Sequence, residues 1–279
     1  MEIANITKKR LIEFLEKGKR FDNRGWLEYR PLKINLGISS NAEGSAQVFL
    51  GKTEVMVGVK LDAVVPYRDS EESGVLAVVT ELLPMASERF EHGPPKIQSI
   101  ELARIVDRSI RESEIIDMKK LCIKKGEKVW SVMIDIYAIN DDGNLIDAAA
   151  IGAVAAIMSA VMPKIDKDDK VQYGEFTKDK LPITSAIPTT VTFYKIGDKF
   201  VLDPTTEEQD ASELRVSFAV SFPSKEKKSK KIDAENAVIN AMQKGGGDAT
   251  LSSEEINTLI DLAVEKAASL QEKIREEIE

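Results

Sequence analysis

The chain has 279 residues, 43% hydrophobic and 31% charged, with 39 Lys and Arg against 47 Asp and Glu for a formal net charge of −8. This excludes an intrinsically disordered composition and leaves enough chain for one large core or two moderate ones. The lone Cys122 excludes an internal disulfide and a cysteine-based metal site, and the lone His92 leaves little room for a histidine triad or zinc centre. An acidic chain can still hold nucleic acid, but its basic footprint must then be local or supplied by a partner. No apolar run reaches transmembrane length and no signal peptide is legible, so the expectation is a soluble cytoplasmic protein with no membrane partner.

Ile6 to Lys17 reads as a first helix, with Leu11, Phe14 and Leu15 on one side. Four β-type runs follow, Pro31 to Ile38, Ser45 to Leu50, Glu54 to Val65 and Gly74 to Leu83, with Gly44 and Gly51-Lys52 as turns. Gly93-Pro94-Pro95 then stops the chain before a second helix that carries Ser99 where an N-cap is wanted. Lys128 to Ile139 reads as a strong strand and Asp141-Asp142-Gly143-Asn144 as a turn. Asp147 to Met162 is Ala-rich and almost wholly apolar, the pattern of a buried central helix. Pro163 to Lys180 is charged and reads as the link between two halves. The second half opens with strands Thr189 to Ile196, Lys199 to Leu202 and Leu214 to Phe222, then a lysine-rich loop, Ser224 to Lys231. Ala237 to Gln243 is ambiguous between helix and strand. Ser252 with Glu255 makes a capping-box pattern ahead of a long final helix with Leu259, Ala263, Ala267, Leu270 and Ile274 at helical spacing. Strands then helix, in each half, predict an α+β fold of two domains, residues 1–165 and 186–279, joined through 166–185.

The second helix carries the chemistry. Arg104, Arg108 and Arg111 are spaced i, i+4, i+7 and project from one face, beside an apolar stripe of Ala103, Val106 and Ile110. Planar guanidinium forks grip phosphate well. Two readings fit this spacing: a face offered to a phosphate chain, or a solvated face paired with Glu101, Asp107 and Glu112.

The order of short motifs resembles the RNase PH superfamily. Arg20-Phe21-Asp22-Asn23-Arg24 with Arg30-Pro31 is similar to its R-x-D-G-R…R-P opening. Gly44-Ser45-Ala46 and Gly51-Lys52-Thr53-Glu54-Val55 are similar to its G-S-A…G-x-T-x-V hairpin, Arg108-Ser109-Ile110-Arg111 to its R-S-[LI]-R helix, and Gly152-Ala153 to the G-A after its phosphate loop. The resemblance implies a ribosomal S5 domain 2-like first domain and an RNase PH domain 2-like second one. The long N-terminal helix and Glu101-Leu102-Ala103-Arg104 resemble most the non-catalytic ring subunits of the archaeal exosome.

The departures matter as much. Phosphorolytic members carry G-G-[TS]-R before the central helix, where backbone amides and the arginine hold inorganic phosphate. Here the stretch is Gly143-Asn144-Leu145-Ile146, followed by Asp147. Isoleucine cannot donate to phosphate and an aspartate would repel it. Active members also carry two carboxylates six residues apart in the second half, for a divalent metal or acid–base chemistry. Anchored on Leu202-Asp203, those positions hold Gln209 and Arg215, while Asp210 and Glu213 lie out of register. The resemblance thus implies no catalytic residue, no metal and no cofactor. It implies RNA contact by Arg104, Arg108 and Arg111, and a hexameric ring alternating with a catalytic RNase PH-like homologue under RNA-binding cap proteins. A free-standing phosphorolytic exoribonuclease and an RNA-binding accessory protein without a ring are the alternatives.

Overall fold

A computed structural model describes residues 4–166, 170–223, 232, 234–247 and 249–278. The first half runs α1 (Asn5–Glu16), β1 (Leu32–Leu36), β2 (Gly44–Leu50), β3 (Thr53–Val64), β4 (Val75–Leu82), α2 (Ile97–Ser113), a 3₁₀ turn (Met118–Leu121), β5 (Cys122–Lys124), β6 (Lys128–Asn140) and α3 (Leu145–Ser159). A hairpin of β7 (Val161–Ile165) and β8 (Val171–Lys180) follows. The second half is β9 (Pro188–Ile196), β10 (Lys199–Leu202), α4 (Thr206–Ala211), β11 (Leu214–Ser221), a 3₁₀ turn (Ala234–Asn236), β12 (Val238–Gly245) and α5 (Ser253–Ile278).

The first sheet has the order β1-β2-β3-β6-β4, with β5 also on β6, and only β4 pairs in parallel, connected onward to β6 by the crossover through α2. Along β3 the side chains alternate, Val55, Val57, Val59 and Leu61 going inward under α3. Each such burial is worth about 1.5–3 kcal/mol relative to exposure. The small face of α3 lets strands approach it closely: a Cβ on Gly152 would lie 2.7 Å from Val57 Cγ2.

The second sheet is antiparallel, β10-β9-β11-β12. Its two faces differ in kind. Val191, Phe193, Val216 and Phe218 pack against Leu259, Ala263 and Ala267 of α5 in an apolar core. The alternate positions Thr190, Thr192 and Ser217 turn toward α2 and α3, where Ser109 Oγ lies 3.2 Å from Thr190 Oγ1 and Thr192 donates to Asp147. The two sheets therefore enclose α2 and α3, and the junction is hydrogen-bonded rather than greasy.

Several expectations shift. The charged stretch Pro163 to Lys180 forms most of the β7–β8 hairpin, and Met162 belongs to β7 rather than to the central helix. The ambiguous Ala237 to Gln243 stretch is mostly strand β12, since its register with β11 supplies the backbone partners. Ser99 is not the cap of α2: the helix starts two residues earlier with Lys96 at its cap, and Ser99 is buried, donating to the Thr80 carbonyl. The packed stripe of α2 is Leu102, Ile105, Val106 and Ile110, with Ala103 only at its margin. The Ser252–Glu255 capping box is present, with Glu255 N–H donating to Ser252 Oγ at 3.1 Å and Ser252 N–H to the Glu255 carboxylate at 2.8 Å. Ser224 to Lys231 lies outside the described residues.

Candidate functional site

The opening motif Arg20…Arg30 is a clamp between the halves. Arg20, fully buried, gives Glu208 of α4 two hydrogen bonds, at 2.8 and 2.5 Å, and its remaining donors go to the carbonyls of Gly25, Leu202 and Asp203. Arg30 grips the buried Asp203 carboxylate with Nε at 2.9 Å and Nη2 at 2.7 Å, and donates to the carbonyls of Asp142 and Gly143. Arg24 adds a contact to Asp203 at 3.1 Å. Asn23 stands where the superfamily has glycine and takes the left-handed conformation, φ 66°, which asparagine tolerates better than most residues.

This clamp fixes the turn ahead of α3. Gly143 has φ 89°, and a Cβ there would meet the Pro204 carbonyl oxygen at 2.5 Å. Asn144, also left-handed, spans Asp147 and Asp203 with its amide nitrogen, 3.0 Å from each. Ile146 is 7% exposed and lies in the main core. Asp147 is fully buried, accepting from Thr192 Oγ1 at 2.7 Å, Tyr29 Oη at 2.9 Å, Asn144 Nδ2 at 3.0 Å and Thr192 N–H at 3.2 Å. Burial pushes its carboxyl up to about 6 against the pull of those donors. Asp147 thus serves the junction between the sheets instead of facing an anion.

Gln209 and Arg215 do come together with this turn. Gln209 Oε1 accepts the Asn144 backbone N–H at 3.1 Å and the Tyr194 hydroxyl at 3.4 Å. Tyr194 is the register partner of Arg215 across β9 and β11, and Arg215 forms an ion pair with Glu101 of α2. Gln243 donates to the same Glu101 at 3.1 Å. An amide and a guanidinium already holding a carboxylate do not fit a divalent cation. The out-of-register carboxylates are engaged elsewhere: Asp210 is clasped by Arg89, and Glu213 lies 3.6 Å from Lys8. Asp210 sits on the short helix α4 and not on a strand, so its side chain is placed by helical geometry.

Beyond the Glu101–Arg215 pair a cleft of about 410 Å³ runs between α2 and the β11–β12 strands. Arg104 and Arg108 line one wall, and Thr190, Ser217, Asn240 and Gln243 line the other. Arg104 is exposed and has no ion-pair partner among the described residues. Arg108 has an exposed pair with Glu112 at 3.2 Å. Arg111 is turned away, holding Asp107 with two hydrogen bonds at 3.0 and 2.7 Å and the Leu76 carbonyl at 3.2 Å. Asn240 Oδ1 is buried in this wall without a partner among the described residues. The polar wall carries no motif; only the pairing of β9, β11 and β12, with the bulge at Asn240 in β12, brings these side chains together.

Two family models match, 3′ exoribonuclease family domain 1 over residues 28–163 and domain 2 over 186–266. The chain belongs to the RNase PH family of 3′ exoribonucleases. This RNase PH-type chain is 40% identical over 270 residues to exosome complex component Rrp42 of Methanosarcina acetivorans, covering 96% of this chain and 93% of that one. A chain of the Archaeoglobus fulgidus exosome with RNA bound to the active site superposes with TM-score 0.84 at 39% identity, covering 96% of this chain and 98% of that chain. A chain of an archaeal exosome core gives 0.80 at 36% identity, covering 97% of each. The two-domain α+β organisation read from the motif order is the family's, one domain model on each half. Among the described residues no helix is long and apolar enough to cross a membrane.

Proposed function

We propose that this chain is a non-catalytic, RNA-guiding subunit of a cytoplasmic archaeal-exosome-type ring. In that ring it alternates with a catalytic RNase PH-type homologue that degrades RNA 3′→5′ by phosphorolysis, and RNA-binding cap proteins are further partners. The observation that carries this is the occupancy of the would-be catalytic pocket by the chain's own groups. Gln209 takes the Asn144 N–H, Ile146 is in the core, and Arg215 is paired with Glu101. Among the described residues, positions 146, 209 and 215 thus offer neither a free arginine for an anion nor a carboxylate for a metal. The names of the full-length relatives and the exosome structures support the ring assignment.

Arg104 and Arg108 are the residues that hold RNA. They face an open cleft, their charge is not consumed by buried partners, and guanidinium-to-phosphate contacts bind a strand whatever its sequence. Arg111, its charge held by Asp107, contributes by pinning α2 to β4 through the Leu76 carbonyl.

Nucleoside diphosphate release tests the reading. The purified chain with RNA, inorganic phosphate and Mg²⁺ is expected to release none, while a mixture with its catalytic homologue releases them. Phosphorolysis by this chain alone, abolished by Asp210→Asn, would overturn it in favour of a free-standing exoribonuclease.

A further inference from the structure

Arg104 stands between two acids of its own helix. Residues three apart on a helix are neighbours, and Arg104 has Glu101 three positions before it and Asp107 three positions after it. Either carboxylate, if free, would draw the Arg104 guanidinium back onto α2. Both are engaged by other residues. Asp107 accepts two hydrogen bonds from Arg111, at 3.0 and 2.7 Å. Glu101 is held from the second sheet, by an ion pair with Arg215 of β11 and by a 3.1 Å hydrogen bond from Gln243 of β12. Arg104 is exposed on the cleft wall and has no ion-pair partner among the described residues.

Strand register builds the hold on Glu101. Gly245 is the cross-strand partner of Arg215, and a Cβ there would lie 2.7 Å from Arg215 Nη2 and 3.0 Å from its Cζ. The bare glycine leaves the space through which the guanidinium reaches α2. Gln243 lies two residues earlier on β12, on the same face, and brings a second donor to the same Glu101 oxygen. The Arg215 side chain is only 14% exposed, so water and salt weaken this pair less than a Glu101–Arg104 pair on the open helix surface.

We propose that Arg215 is a positioning residue for RNA binding: by holding Glu101 against the second sheet, it keeps the Arg104 guanidinium free for a phosphate of the strand. The proposal rests on the RNA-guiding reading above and adds to it the residue that keeps its arginine available.

RNA affinity of the ring assembled with the catalytic homologue tests it. Arg215→Gln frees Glu101 to pair with Arg104. It is expected to weaken RNA binding roughly threefold to tenfold and to lower the log–log salt slope by up to about 0.7, one phosphate contact. Adding Glu101→Gln to that variant removes the competing carboxylate and restores the wild-type net charge; affinity is expected to return to within about twofold of wild type. With Arg104→Ala already present, Arg215→Gln is expected to add less than about twofold, since no guanidinium remains to be captured. Gly245→Ala displaces the Arg215 guanidinium without altering any charge. It is expected to weaken binding in the same direction, and it carries the test should Arg215→Gln fail to assemble. Wild-type affinity in Arg215→Gln, or in Gly245→Ala where only that variant assembles, overturns the positioning role. So does a double variant no tighter than Arg215→Gln alone, which would mean that Arg215 meets RNA directly. If Arg104→Ala by itself leaves RNA affinity unchanged, the RNA-guiding reading falls and this role with it.

Discussion

Gln209 Oε1 accepts the backbone N–H of Asn144 at 3.1 Å, so two departures from the phosphorolytic pattern are one structural unit. The side chain at a position held by a carboxylate in active relatives satisfies an amide of the turn that in those relatives holds phosphate. The turn is stable without an anion because the protein supplies the acceptor itself. Reverting a single residue is therefore expected to add no phosphorolysis. Ile146→Arg places a guanidinium at a site 7% exposed within the main core. It is expected to cost at least about 3 kcal/mol of stability with no gain of nucleoside diphosphate release, since the buried charge has no partner. Urea unfolding and a phosphorolysis assay check both halves.

The arginine wall makes a separate prediction. Arg104→Ala with Arg108→Ala leaves Leu102, Ile105, Val106 and Ile110 packing α2, so folding and assembly survive. Each lost phosphate contact lowers the log–log salt slope of RNA binding by roughly 0.7. Degradation of long RNA by the assembled ring falls, while turnover of very short RNA by the partner changes much less. If the Glu112 pair at 3.2 Å is the whole role of Arg108, affinity and slope stay equal in wild-type and variant rings.

Arg20 and Glu208 predict a stability effect far from any chemistry. Arg20→Ala leaves the buried Glu208 carboxylate without its cation and the Leu202 carbonyl without its side-chain donor. The expected loss is about 3–5 kcal/mol, seen as a lower urea midpoint. Removing both partners, Arg20→Met with Glu208→Gln, is expected to cost clearly less than Arg20→Ala alone, since no uncompensated charge remains.

Asp147 gives the pH dependence a sign. Its carboxyl is raised to about 6 by burial, against the hydrogen bonds from Thr192, Asn144 and Tyr29, with the Asp203 charge raising it further. The folded chain therefore binds this proton more tightly than the unfolded chain, whose aspartate titrates near its ordinary 3.8. This group's contribution to stability is greatest at low pH and falls as pH rises through roughly 4 to 6, by up to about 1.4 kcal/mol per pH unit. Asp147→Asn removes that slope. The unfolding free energy of wild type minus that of the variant is expected to fall with rising pH across the window; a constant difference would mean Asp147 does not titrate there.

Sequence alone settled the elements whose periodicity is local. The alternation of β3, the Ala-rich face of α3, the Ser252 box and the i, i+4, i+7 arginines are properties of neighbouring residues, so they are legible without partners. Motif order placed the chain in its family, and the residues at 146, 209 and 215 marked where it departs from the phosphorolytic pattern. Tertiary structure alone decided what those residues do instead. Glu101 answers Arg215 and not Arg104, Arg111 folds back on Asp107 and Leu76, and Asp147 ties α3 to β9. Each of these joins residues dozens of positions apart, or selects one rotamer among several, and such choices are set by the low-dielectric junction between two sheets that exists only once both have folded.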